Sequence, residues 1–295
     1  MRTVDFIGAN FGLGGAVAGS ELAPQCLRSL GVVQRVAQSG ITMVDCGDVK
    51  QNSSCVGSHA LTHGVYNLHE VVDFCAELKS KVAQSYCNDH LALVVGGDHS
   101  IALGSLSATL DFDPDAAVIW FDAHTDINTE ATSPSHNAHG MPMAAMLHLC
   151  ESELNELATV PIKSDHIFYL GVRDVDDGEQ EILQKYPIHA YTIHDIQQQG
   201  IASVLQQISS QLNQLQVKTI HLSFDIDGMD TSLVSATGTP VANGLNETDF
   251  DAFCKWLPLD KIRVLDFVEY NPLLDNNSGD TALWCCAAIR KMFSK

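Results

Sequence analysis

Three side chains that can bind a metal ion alternate along one short stretch of the chain. Asp122, His124 and Asp126 stand two positions apart and directly follow the apolar run 116–121. Such a run indicates a buried strand, and alternate side chains of an extended chain point to the same side. Two carboxylates and an imidazole that meet in a protein interior need a cation to compensate them. The stretch therefore predicts a metal site.

Polar residues also follow three other apolar runs, each at the point where the run ends. They are His99, the pair Asp225 and Asp227, and Glu269. In open parallel α/β sheets, ligands bind outside the carboxyl ends of the strands, so these clusters can converge on one crevice. A single Asp-x-Asp is most often a turn or a helix cap. The joint placement of the clusters at strand ends favours a metal centre over that alternative.

The candidate ligands are four aspartates and two histidines: His99, Asp122, His124, Asp126, Asp225 and Asp227. This set is too large for one ion with an open position, and it suffices for two ions bridged by carboxylates. Oxygen ligands with some imidazole suit manganese better than metals that prefer soft ligands. Two ions that hold a water between them lower its pKa, so the predicted reaction class is hydrolysis. No GxSxG nucleophile motif competes with this interpretation.

Eight predicted strands position these residues, and most of them alternate with predicted helices. The strands are 3–8, 41–46, 90–95, 116–121, 166–171, 188–192, 219–224 and 262–268. The helical stretches are 21–37, 58–86, one that ends near 110, 177–186, 200–215, 247–257 and 279–293. This alternation, with several strands apolar throughout, predicts a parallel sheet covered on both faces. We expect a three-layer α-β-α fold of the α/β class, with a mostly parallel sheet of about eight strands in one domain, 1–295.

The composition limits the class of partner. Acidic residues outnumber basic ones 36 to 16, which gives a formal net charge of −20. This charge disfavours nucleic acid and anionic membranes as partners and would attract a cationic ligand, although a merely soluble acidic surface is the alternative. The nine cysteines lack a CxxC pair, which favours a reducing cytoplasm. No stretch approaches the roughly 20 apolar residues that a transmembrane helix needs.

Two other groups of residues have weaker claims on a ligand. The glycine-rich segment after the first strand lacks the GxGxxG spacing of a dinucleotide site. His59, His63 and His69 lie along the predicted helix 58–86, without carboxylates at a matching spacing. We interpret them as surface or boundary histidines, with metal binding as the alternative.

Motifs along nearly the whole chain resemble those of the ureohydrolases, and among them the arginases. They are GGDHS (96–100), DAHTDIN (122–128), SHNAHGMP (135–142), GVRDVDDGE (171–179), SFDIDGMD (223–230), ATGTP (236–240) and VEYNP (268–272). The resemblance implies hydrolysis of the guanidinium group of L-arginine to L-ornithine and urea by a hydroxide that bridges two Mn²⁺. The alternatives are an agmatinase, a formiminoglutamase or another ureohydrolase. A catalytically silent binding protein with the same fold is the alternative from another class.

The resemblance also implies a role for each matching residue in the metal centre and in catalysis. One manganese would be bound by His99, Asp122, Asp126 and Asp225, and the other by Asp122, His124, Asp225 and Asp227. Asp126 would pass a proton to the departing amine, His139 would transfer protons, and Glu269 would face the guanidinium group. The alternative for His139 is a loop histidine that only shapes the pocket. For Glu269, the alternative is a structural salt bridge with an arginine.

Two loops are expected to determine the substrate. Asn128, Ser135 and Asn137 match positions that receive the α-carboxylate. Asp176 and, more remotely, Glu179 match positions that meet the α-amino group, and Thr239 matches a further active-site position that could equally cap a turn. This arrangement favours arginine over agmatine, which lacks the carboxylate.

Position 136 departs from the family pattern. His136 stands between Ser135 and Asn137, where arginases commonly have glycine. A side chain there alters the loop if the glycine uses a positive φ, so His136 bears on substrate preference and leaves the metal chemistry unaffected. The family forms trimers or hexamers, and the resemblance therefore implies a homo-trimer or homo-hexamer.

Overall fold

The computed structural model describes residues 3–50 and 59–294, and a parallel sheet forms its centre. In chain order the strands are β1 (Val4–Gly8), β2 (Met43–Asp48), β3 (Leu61–Thr62), β4 (Val65–Tyr66), β5 (Leu91–Val95), β6 (Ala117–Phe121), β7 (Ile167–Val172), β8 (His189–Thr192), β9 (Ile220–Asp225) and β10 (Ile262–Val268). Eight of them form one sheet in the order β2-β1-β5-β10-β9-β6-β7-β8, with all neighbours parallel. The eight predicted strands are confirmed, each within two residues of its expected bounds.

Helices cover both faces of the sheet. They are α1 (Ala23–Ser29), α2 (Val32–Ala37), α3 (Leu68–Cys87), α4 (Ala102–Phe112), α5 (Pro142–Met146), α6 (Asp177–Lys185), α7 (Ile193–Gln199), α8 (Ile201–Gln214), α9 (Glu247–Trp256) and α10 (Asp280–Met292). Successive strand residues face opposite sides, so Phe6 packs in one apolar layer and Ile7 in the other. The layer of Phe6 lies under α1, α2 and α7–α10, and that of Ile7 lies under α3–α6. The predicted three-layer fold is confirmed.

Two predicted helices were wrong in their bounds. The stretch 21–37 is two helices, because Gly31 has a left-handed φ of 77° and interrupts the helical backbone between α1 and α2. The stretch 58–86 becomes helical only at Leu68, and its first position, 58, lies outside the described residues. Before α3 the chain forms the β3–β4 hairpin, where His63 and Gly64 have φ values of 48° and 79°. Two left-handed residues suit a two-residue hairpin turn and exclude a helix.

The sheet order brings the polar clusters together. His99 follows β5, Glu269 follows β10, Asp225 ends β9, and Asp122 follows β6. These four strands are adjacent at the centre of the sheet, and neighbouring strands lie about 4.8 Å apart. All four residues therefore meet at the carboxyl edge. Among the described residues, none of the helices is both long and apolar enough to cross a membrane.

Candidate active site

His99 lies at the centre of the polar cluster, and its neighbours determine how its ring is turned. The ring stacks on Trp120, with centroids 4.1 Å apart and planes at 8°. Its Nε2 lies 2.7 Å from the hydroxyl of Ser223, which belongs to β9. Stacking and this hydrogen bond together hold the ring with Nδ1 facing the carboxylates.

Three carboxylate oxygens surround His99 Nδ1. The Oδ2 atoms of Asp122 and Asp126 lie 3.0 Å away, and Oδ2 of Asp225 lies 3.1 Å away. Burial lowers the pKa of His99, but these carboxylates outweigh it and raise the pKa well above its usual value. Within the described part of the chain, His99 Nδ1 and Asp122 Oδ2 are nevertheless buried polar atoms without a hydrogen-bond partner. Buried atoms of this kind call for a ligand.

A second group of donors adjoins the first and shares Asp122 with it. His124 Nδ1 lies 3.4 Å from Asp122 Oδ1 and 3.2 Å from Asp227 Oδ2. Burial and the nearby Asp122 carboxylate raise the pKa of Asp227 to about 6. Thr239 donates its hydroxyl to Asp227 Oδ2 at 3.2 Å, so Asp227 is the contact of this threonine in the site.

The Asp-x-Asp turns and the cluster use different oxygens of the same side chains. Asp122 Oδ1 accepts the N–H of His124 at 2.7 Å, and Asp225 Oδ1 accepts the N–H of Asp227 at 2.8 Å. The Oδ2 atoms of Asp122 and Asp225 face His99 instead. Each aspartate therefore shapes its turn and contributes to the cluster at once, because a carboxylate has two acceptor atoms.

The donor set fits divalent cations. The groups His99–Asp122–Asp126 and Asp122–His124–Asp227 each bring their ligand atoms within 4.8 Å of one another. Carboxylate oxygens with imidazole nitrogen are ligands for ions such as manganese. Within the cluster, four buried carboxylates face two histidines, so negative charge remains that a cation would compensate. The residues present therefore fit a centre of two metal ions.

Glu269 borders the cluster and pairs with His139. Its Oε1 accepts the N–H of His99 at 2.7 Å and lies 3.5 Å from His139 Nδ1. Burial lowers the pKa of His139, but the carboxylate of Glu269, with smaller contributions from Asp126 and Asp98, raises it to about 9. The ion-pair partner of Glu269 is thus His139, whereas the alternative interpretation of Glu269 predicted a salt bridge with an arginine.

An open cavity lies above these groups. Its lining residues are His99, His124, Asp126, Asn128, Ser133, Ser135, His139, Gly140, Asp176, Glu179, Asp225, Thr239 and Glu269. Asn128 donates its amide to Asp176 Oδ2 at 2.8 Å, which connects the two expected substrate loops.

Glu179 connects the same loops through its carboxylate. Oε1 accepts the N–H of Ile127 at 3.0 Å, and Oε2 accepts the N–H of Asp176 at 2.9 Å, in a capping box at the start of α6. Both oxygens are therefore engaged by the backbone. Burial raises the pKa of Glu179 to about 7, although these two hydrogen bonds lower it.

The model of the Arginase family matches residues 2–294. The chain belongs to the arginase family. The arginase of Staphylococcus aureus (strain COL) is 35% identical over 279 residues, which cover 94% of this chain and 92% of that protein. Among solved structures, the arginase of Bacillus caldovelox gives a TM-score of 0.92 at 32% identity and covers 100% of this chain and 99% of its own. The Entamoeba histolytica arginase in complex with L-ornithine gives a TM-score of 0.89 at 30% identity, and the match covers 100% of this chain and 99% of that chain.

In this arginase-family chain, the predicted site residues lie together, with differences in depth. Asp122 and Asp227 lie beneath the cavity and are almost fully buried. Asn137 is also buried and does not line the cavity, whereas its neighbour Ser135 does. The remaining predicted residues line the cavity directly.

Sequence reasoning missed several residues that support the site. Ser133 lines the cavity, and Trp120 and Ser223 orient His99. Arg173 hydrogen-bonds to backbone carbonyls of β7 and of two loops: Gly171, Asp227, Gly228, Met229, Val241 and Ala242. Its place inside GVRDVDDGE was the available signal, but a sequence does not reveal which carbonyls a guanidinium reaches.

Proposed function

We propose that this chain is an arginase that hydrolyses the guanidinium group of L-arginine to L-ornithine and urea. The observation that carries the proposal is one cavity lined both by the His/Asp cluster with Glu269 and by the loops of Asn128, Ser135 and Asp176. Arginine brings a guanidinium group, an α-carboxylate and an α-amino group, and the cavity offers polar groups for each. Agmatine would leave the α-carboxylate side without a partner.

The proposed cofactor is two Mn²⁺ per subunit. One ion would be held by His99, Asp122, Asp126 and Asp225, and the other by Asp122, His124, Asp225 and Asp227. The predominance of carboxylate oxygens supports manganese over metals with soft-ligand preferences. When bound, such ions activate water for attack on the guanidinium carbon.

The chain's own residues would orient the substrate and move protons. Glu269 would bind the guanidinium N–H groups, for which a carboxylate is the matching acceptor. Hydrolysis forms a carbon–oxygen bond and breaks a carbon–nitrogen bond, so the departing amine of ornithine must gain a proton. Asp126, which borders the cavity, would pass it, and His139 would exchange protons with solvent.

The two loops would bind the α-groups of arginine. The uncharged donors of Asn128 and Ser135 suit a carboxylate in a site already rich in negative charge, and Asn137 would support this loop. Asp176 would accept the α-ammonium group. Glu179 would affect the α-ammonium group without a direct hydrogen bond, because its two carboxylate oxygens already accept backbone N–H groups of both loops.

Two broader properties belong to the same proposal. We propose a homo-oligomer, a trimer or a hexamer, which light scattering after size-exclusion chromatography tests directly.

We also propose that the protein works in the cytoplasm. The eight cysteines that the structure describes are all free, which supports a reducing compartment.

The decisive experiment measures urea release by the manganese-loaded protein, with L-arginine and agmatine side by side. Strong activity on arginine alone is the expected result. Activity on agmatine alone would keep the metal chemistry and overturn the roles of Asn128, Ser135 and Asn137. Silence on both substrates with metal bound would contradict the proposed reaction, and formimino substrates would be assayed next.

A further inference from the structure

His136 is held in a left-handed backbone conformation outside the cavity. Its φ is 59°, and its N–H donates to the hydroxyl of Ser133 at 3.0 Å. Ser133 and Ser135 line the cavity, whereas His136 does not. The backbone therefore presents Ser135 to the cavity and turns His136 away from it.

The side chain and the backbone of His136 both bind the β3–β4 hairpin. His136 Nδ1 lies 3.0 Å from the carbonyl of Gly64, and because a carbonyl only accepts, Nδ1 carries the hydrogen and donates it. The carbonyl of His136 accepts the N–H of Tyr66 at 2.9 Å, and the two rings meet edge to face at 6.3 Å. These three contacts form what we call the His136 latch.

Hydrogen bonds of Asn67, directly after the hairpin, connect the hairpin to other parts of the chain. Asn67 donates its amide to the carbonyl of Leu13, while its Oδ1 accepts the N–H of His59. The hairpin also packs closely on the substrate loop at a second point. A Cβ added at Gly64 would lie 3.0 Å from Glu130 Cβ. The substrate loop thus contacts the hairpin at two points, near Glu130 and at His136.

We propose that His136 is a positioning residue for the substrate site: the latch holds Ser135 where the α-carboxylate of the substrate binds, and it holds Asn137 in the loop that supports Ser135. The inference rests on the proposed function and names the element that determines the geometry of the carboxylate side. Loss of the latch weakens binding of substrates that carry an α-carboxylate. It leaves the chemical step intact, because other contacts hold the two residues assigned to proton transfer. The carbonyl of Asp126 accepts the N–H of Met143, and the N–H of His139 donates to the carbonyl of Gly14.

Two substitutions separate the side-chain hydrogen bond from the backbone conformation. His136→Gly keeps the positive φ without strain and removes the donor. His136→Asn also tolerates this conformation, and its Nδ2 stands at the position of the imidazole Nδ1, so it preserves the donor. His63→Gly is the matched control, since His63 is an exposed histidine with a φ of 48° in the turn of the same hairpin.

The experiment measures kcat and KM for L-arginine with the manganese-loaded proteins, and amide hydrogen exchange at Tyr66. For His136→Gly we expect KM to rise about two- to tenfold, the range of one hydrogen bond, with kcat retained and faster exchange at Tyr66. His136→Asn and His63→Gly should behave as the wild type. The latch is wrong if His136→Gly keeps the wild-type KM and exchange, or if His136→Asn is impaired equally.

The exchange measurement distinguishes this proposal from the proposed function. If the wild type releases no urea from arginine, the proposed function fails and with it the substrate assignment. The change in Tyr66 exchange between wild type and His136→Gly then decides by itself whether the latch holds the loop.

Discussion

Two carboxylates of the site are held in backbone conformations that side chains rarely adopt. Glu269 has a φ of 65° and Asp126 a φ of 47°. The left-handed conformation costs about 1–2 kcal/mol for a residue with a side chain. Tertiary hydrogen bonds maintain it: Glu269 N–H donates to the carbonyl of Gly97, and the carbonyl of Asp126 accepts from Met143. The strain lies where side-chain direction matters most, which is common at functional sites.

Glu269→Gln should lower kcat/KM for arginine by about 10- to 100-fold. A hydrogen bond to a charged group contributes about 1.5–3 kcal/mol, and glutamine offers the guanidinium group only one neutral acceptor. Glutamine can still accept the N–H of His99, so the fold and the manganese content should not change. Steady-state kinetics with metal analysis checks both points. An unchanged kcat/KM would refute the role of Glu269.

Asp227→Asn should reduce bound manganese from about two ions per subunit to about one. The proposed ligand set uses Asp227 for one ion only, and a neutral amide is a weak substitute for a carboxylate. Metal analysis after desalting measures the ratio. Asp230→Asn is the control on the same segment, because Asp230 binds Ser232 and Gly244 instead of the cluster. Two retained ions in Asp227→Asn would contradict the ligand set.

Arg173 acts at the scale of whole elements. Arg173 follows β7, and its guanidinium donates to backbone carbonyls of two segments. These are 227–229, which carries Asp227, and 241–242. Burial lowers the pKa of Arg173, although Asp227 and other nearby carboxylates oppose this. One guanidinium thus joins three segments, because its five N–H donors spread in a fixed plane.

Arg173→Lys should lower the free energy of unfolding by about 1–3 kcal/mol. An ammonium group has three donors in place of five, so carbonyls of the two segments would lose their partners. Urea denaturation of both proteins measures the difference. The exposed Arg290→Lys in α10 should stay within about 0.5 kcal/mol of the wild type. If Arg173→Lys proves as stable as Arg290→Lys, Arg173 does not hold the two segments together.

Glu179 makes stability depend on pH through the junction of α6 with the substrate loop. Burial raises its pKa from 4.5 to about 7, so the native state binds this proton more tightly than the unfolded chain does. Its contribution to the free energy of unfolding therefore falls as the pH rises from about 4.5 to about 7. Glu179→Gln should lack this fall. Denaturation of the metal-free proteins across that pH window checks it, with the exposed Glu181→Gln as control. Parallel curves for wild type and Glu179→Gln would oppose the prediction.

At the scale of the whole molecule, the sheet gathers buried negative charge at one edge. Four aspartates and Glu269 meet at the carboxyl ends of its central strands, in a chain that carries a formal net charge of −20. The imidazoles of His99, His124 and His139 offset only part of this charge. Bound cations would therefore stabilise the native state as well as supply the chemistry.

Removal of metal should lower the melting temperature by several degrees. A ligand at 1,000 times its Kd stabilises the native state by about 4 kcal/mol, and a domain of this size shifts by about 2 °C per kcal/mol. Differential scanning calorimetry before and after chelation measures the shift, and added Mn²⁺ should reverse it. A melting temperature indifferent to chelation would mean that the cluster does not bind ions tightly.

Local pattern by itself determined the strands and the candidate ligands. Mostly apolar segments that alternate with predicted helices identified the eight strands of the sheet. Several of these segments are apolar throughout, because a strand buried on both faces rarely carries polar side chains. The alternation of Asp122, His124 and Asp126 predicted that these side chains meet, and they do. The extended backbone assumed for them was wrong, because β6 ends at Phe121 and the chain then bends, with a left-handed φ at Asp126. The family motifs added the expected substrate loops.

Only the tertiary structure decided the order of the strands and the contacts that support the site. His136 and the hairpin at Gly64, or Arg173 and the carbonyl of Val241, lie about 70 residues apart in the chain. The positive φ of Glu269 likewise leaves no mark in composition or periodicity. The physical reason is that these features depend on long-range packing, which local residue preferences do not encode.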